Sequence, residues 1–72
     1  MAINSTLAKE TIIKVLTRYR VCTTKEIAKF AWQEYGIDMT PASVGSQLRS
    51  MRSTTKIGSS KNEHGAMVYW LN

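Results

Sequence analysis

The sequence predicts an α+β domain: three helices, a short strand between the first two, and a β-hairpin at the C-terminal end. Three observations predict it. Apolar residues recur at helical spacing of three and four over roughly the first fifty residues. Cap and stop residues cut that stretch into three segments. Near residue 55 the pattern changes to the alternation of strands around a glycine-bearing turn.

The first helix is expected over about 5–20, "STLAKETIIKVLTRYR", where Ala8, Ile12, Val15, Leu16 and Tyr19 make one apolar stripe. Asn4 or Ser5 caps its start, and Arg18 and Arg20 sit where the helix dipole favours cations. "VCT" (21–23) is short and β-prone, with Cys22 read as a small buried hydrophobe. A second helix, about 24–35, opens on Thr23 and Glu26 at capping-box spacing and stops at Gly36, the residue that most easily turns left-handed. Ile27, Ala28, Ala31 and Tyr35 are its expected inner face. Phe30 and Trp32 flank that face, so the apolar arc is wider than a surface helix needs. Both Trp32 and Trp70 are expected in the core or at its edge.

Ile37 and Met39 form an inward-facing connector. Thr40 as N-cap and Pro41 at the first helical position then open a third helix, about 41–53, buried along Val44, Leu48 and Met51. Ser43, Ser46, Ser50 and Ser53 follow one another by three or four positions on its other side, beside Arg49. Serine is an indifferent helix former, so this row costs local stability. Gly45 costs about 1 kcal/mol more, explained equally by close packing on the second helix or by approach to a ligand. The hairpin, about 55–71, is expected to pair Thr55–Ile57 with "MVYWLN", leaving 58–66 as the loop. Met67, Tyr69 and Leu71 then share one face, Val68 and Trp70 the other.

Composition narrows the function. Seventy-two residues make a single small domain, 1–72, with 43% hydrophobic content for one modest core. A lone Cys22 excludes an internal disulfide, and with a lone His64 it leaves too few ligands for an all-protein zinc site. There is no paired-carboxylate motif, no nucleophile–base spacing and no phosphate-cradling glycine loop, so neither an enzyme nor a cofactor is expected. No apolar run spans a membrane and none resembles a signal peptide, so a reduced, cytoplasmic protein is expected. Ten Lys+Arg against five Asp+Glu give +5, a field that favours polyanions. The bias is sharper locally: Arg49, Arg52, Lys56 and Lys61 follow one another with no acidic residue between them.

In the order of its elements the chain resembles a winged helix-turn-helix domain over about residues 5–72. "TTKEIAKFA" stands for the second helix, "TPASVGSQLRSMRS" for the recognition helix and "KIGSSKNEHGAMVYWL" for the wing. The second helix is longer than in the compact bacterial helix-turn-helix. The chain does not resemble the Z-DNA readers of this fold: Gly45 and Arg49 stand where they carry Asn and Tyr, and no Pro-Pro precedes Trp70.

The resemblance implies double-stranded DNA as partner, with the third helix in the major groove and the wing on the adjacent backbone or minor groove. The expected contacts are Thr40, Ser43, Ser46, Gln47, Arg49, Ser50, Arg52 and Ser53 on the helix, with Lys25, Lys56, Lys61 and Asn62 around it. The chemistry agrees. Small hydroxyls let a helix backbone approach base edges, Arg49 has the fork for guanine and Gln47 the amide for adenine. The expected role is a small transcriptional regulator of a bacterium or a bacteriophage, acting in the host cytoplasm in the latter case. A homodimer is compatible with this role, though no dimer seam is visible. The competing expectation is an adaptor or inhibitor that binds a partner protein through Phe30, Trp32 or Trp70.

Overall fold

The computed structural model of the chain describes residues 5–53 and 56–72. Its elements are α1 (Ser5–Tyr19), β1 (Val21–Thr23), α2 (Thr24–Tyr35), α3 (Pro41–Met51), β2 (Ile57–Lys61) and β3 (Met67–Leu71). The three strands form one antiparallel sheet in the order β1-β3-β2, so the hairpin's second strand is central and the short strand is an edge. This is an α+β fold with a C-terminal hairpin after the third helix, a layout consistent with a winged helix.

The helix ends have local causes. The capping box before α2 is complete: Thr23 Oγ1 accepts from the Glu26 N–H (3.1 Å), and Glu26 Oε1 accepts from the Thr23 N–H (2.9 Å). Gly36 ends α2 at φ 66, with the Ile37 N–H reaching back to the Ala31 carbonyl (3.0 Å), a Schellman-type close. Thr40 caps α3 by accepting from the Ser43 N–H (3.1 Å), ahead of Pro41. Two ends differ from expectation by a residue or two. α1 stops at Tyr19 because Arg20 swings to φ 70, and α3 stops at Met51, with Arg52 as its C-cap. Asn4 lies outside the described residues.

The core gathers Ala8, Ile12, Val15 and Leu16 from α1, Cys22 from β1, Ile27, Ala28 and Ala31 from α2, Met39 from the connector, Val44, Leu48 and Met51 from α3, and Ile57 from β2. Thr11 is the buried polar residue among them, and its hydroxyl donates to the Leu7 carbonyl (2.8 Å). Cys22 is buried as expected, and burial, with the Glu26 charge second, pushes its thiol up to about 11. Two aromatic expectations need correction. Tyr35 stands at the rim with Lys14 Nζ above its ring (5.6 Å), because the inner arc of α2 is already filled by Ile27, Ala28 and Ala31. Trp32 is 63% exposed, outside the core altogether. Phe30 instead stacks on Tyr19 at 3.8 Å, and the Tyr19 hydroxyl donates to Glu34 (2.6 Å), which also pairs with Arg18 (3.2 Å). These contacts clamp α2 to α1.

The first hairpin strand also lies later than expected. β2 runs Ile57–Lys61, so "GSSK" is strand rather than turn and the loop shrinks to 62–66; Thr55 lies outside the described residues. Pairing explains the difference. Gly58 lies opposite Trp70 and Ser60 opposite Val68, and Val21 and Thr23 of β1 flank the same two residues. Residues 21, 23, 58, 60, 68 and 70 therefore share the outer face, and Cys22, Ile57, Tyr69 and Leu71 the inner one. The Trp70 ring lies over Gly58: a Cβ there would clash with the indole. A segment whose composition reads as turn is drawn into the sheet by a seat that only glycine leaves open.

Candidate nucleic-acid interface

α3 turns Val44, Leu48 and Met51 into the core, which fixes its other side outward. At 100° per residue, Ser46, Arg49 and Ser50 lie opposite that stripe, and all are exposed, as is Ser53, two residues beyond the helix end. Ser43 departs from the row. It is half-buried at the flank, as is Gln47. Ala42, which sequence reasoning passed over, is exposed one turn before Ser46 on the same leading face. Its signal was available: alanine, like serine, leaves a helix face low. Gly45 is half-buried, yet a Cβ added there would meet nothing within 4 Å. Packing against α2 thus gives no reason for this glycine.

Several expected contacts already have structural tasks. Thr40 uses its hydroxyl oxygen to cap α3. The Ser53 hydroxyl donates to the Ser50 carbonyl (3.2 Å). Arg52 donates from Nη2 to Ser59 Oγ of β2 (3.0 Å). The side-chain oxygen of Asn62 accepts from the N–H groups of His64 (2.9 Å) and Ala66 (3.0 Å), while its backbone N–H meets the Ala66 carbonyl (2.8 Å). With Gly65 at φ 80, these bonds fix the hairpin loop in one shape.

The remaining cations are exposed. Arg49 projects from α3, Lys56 precedes β2 and Lys61 ends it at the loop. From Thr40 to Asn62 the chain has no acidic residue. Lys25 stands apart from this run, in the first turn of α2. With Thr23, Thr24, Ala66, Met67 and Tyr69 it lines an open cleft of about 440 Å³ between that helix start and the loop end of β3. The structure thus brings Ser46, Arg49 and Ser50 together on one helix face, with Ser53 just past its end, and places Lys25 beside the hairpin loop.

Among the described residues, no cluster of three or more His, Cys, Asp or Glu is positioned to hold a metal, and no helix is long and apolar enough to cross a membrane. Comparison with protein-family models, curated protein sequences and solved structures finds no match to this chain.

Proposed function

We propose that this chain is a sequence-specific reader of double-stranded DNA, acting as a small transcriptional regulator, with α3 in the major groove and the hairpin on the adjacent backbone or minor groove. The observation that carries the reading is the outward face of α3: Ser46, Arg49 and Ser50 exposed together, within a stretch that holds Arg49, Arg52, Lys56 and Lys61 and no acidic residue. A helix can bring its backbone near base edges only where its leading side chains are short. This face is short everywhere except at Arg49, whose guanidinium suits guanine O6 and N7. The cations around it neutralise phosphate, which supplies most of the affinity, and the helix supplies the readout. Gly45 fits the same account, since no packing contact calls for a glycine there.

The test is a gel-shift titration against salt. Duplex binding is expected, with a log–log slope of about −3 to −5 for the few phosphates these cations can reach. Arg49→Ala is expected to weaken the preferred sequence about tenfold or more and to narrow its margin over a scrambled duplex. Absence of duplex binding at low salt overturns the reading.

A second reading is favoured by one observation, the 63% exposure of Trp32 on α2. Large exposed aromatics anchor protein interfaces, and an adaptor or inhibitor would use this one. Loss of biological activity in Trp32→Ala with duplex binding intact would favour that reading over DNA.

A further inference from the structure

We infer that Arg52 is a positioning residue: it straps the hairpin to α3 through Ser59, and so sets the angle at which the hairpin meets the duplex. This rests on the duplex-binding reading above and gives Arg52 a different task from the direct contact its sequence position implies.

Three observations carry it. Arg52 is the C-cap of α3, so its backbone is fixed to the end of that helix, and its N–H bonds to the Leu48 carbonyl (3.2 Å). Its guanidinium donates to Ser59 Oγ at 3.0 Å, joining the end of α3 to β2. β2 is an edge strand, held on one side by β3 alone. Buried Ile57 pins its start, and Ser59 is the next residue on that inner face. The strap therefore grips the strand one pleat beyond its anchor, at the point where it leaves the core for the loop.

A small rotation there is amplified at the far end. The loop tip at His64 and Gly65 lies about 10–15 Å beyond Ser59 at some 3.3 Å per strand residue. A swing of about 10° at the strap moves the tip by roughly 2 Å, enough to break a hydrogen bond to phosphate. The loop itself cannot absorb that error, because Asn62 holds it in one shape. The Arg52–Ser59 bond adds to the β1–β3 pairing and the burial of Ile57, and fixes the loop-ward half of β2 against the end of α3.

The test uses variants that keep the charge. Ser59→Ala removes the acceptor, Arg52→Lys keeps the cation but loses the guanidinium fork, and Ser59→Thr restores the hydroxyl. Binding to a labelled mixed-sequence duplex is titrated against salt for each. Expected is a loss of about three- to tenfold for Ser59→Ala and for Arg52→Lys, no further loss in the double variant, and an unchanged salt slope throughout. Ser59→Thr should bind like the unaltered chain. Wild-type affinity in Ser59→Ala, or losses that add in the double variant, overturns the strap. If the unaltered chain fails to bind duplex, the functional reading falls instead. The strap is then judged by hydrogen exchange at the Asn62 and Gly65 amides, bonded to the Ala66 and Asn62 carbonyls, which must quicken equally in Ser59→Ala and Arg52→Lys for it to stand.

Discussion

Arg20 is the one described non-glycine residue with a positive φ, at 70°, and it marks where α1 hands the chain to β1. Its N–H closes on the Leu16 carbonyl (2.9 Å), a left-handed helix end of the kind usually given to glycine. A Cβ in this region costs about 1–2 kcal/mol. Arg20→Gly is therefore expected to raise stability by about 0.5–1 kcal/mol once glycine's extra chain entropy is subtracted, read as a higher urea midpoint with the same slope. Cys22, two residues on, gives a pH test. Its thiol is shifted from 9.0 to about 11, mainly by burial, so the unfolded chain ionises it first. The stability tied to the neutral thiol is present below about pH 9 and is lost as pH rises toward 11. Urea midpoints measured at about pH 8 and about pH 10 should fall more steeply in the unaltered chain than in Cys22→Ala.

At the scale of elements, the seat of Trp70 on Gly58 is the contact that makes the hairpin a sheet. Gly58→Ala puts a methyl into the indole, so the ring must shift from its seat, where Trp70 Nε1 donates to Asn72 Oδ1 (3.0 Å). A loss of about 1–3 kcal/mol is expected. In a Trp32→Phe background, where Trp70 is the sole reporter, its emission should shift to the red. This pair also shows why some elements are legible in the sequence and others are not. The starts of α2 and α3 and the stop at Gly36 are short-range: Thr23 with Glu26, Thr40 with Ser43, and Gly36 with the preceding turn each state their bond within a few residues. β2 has no such local statement, since its strand character comes from Trp70 and Val68, paired across the loop. Trp32 was misplaced for a related reason, because a wide apolar arc does not say which residue fills the core first. On the candidate interface, the outward row of Ser46, Arg49 and Ser50 was legible from helical spacing alone. The tasks of Arg52 and Asn62 were not, since each depends on where a strand or a turn brings its partner.

At the scale of the whole molecule, size limits what one copy can read. The molecule extends 35 × 25 × 21 Å, so its long axis matches about ten base pairs of duplex at 3.4 Å each. A helix of eleven residues such as α3 is about 16 Å long, and on the proposed reading only its outward positions would meet bases. One copy is therefore expected to specify about three to five base pairs and to protect no more than about ten, a site too short to be rare in a genome. Selection of bound duplexes from a random pool, followed by footprinting, measures both quantities at once. A single short motif with protection of about ten base pairs means one copy acts alone or beside other proteins. An inverted repeat with centres about one turn apart, protected over about twenty, means two copies related by a two-fold axis. Gel-shift stoichiometry must then agree with the footprint. Enrichment of no motif at all, with binding that tracks salt only, would reduce this protein to a phosphate binder and remove the base-reading role assigned to Arg49.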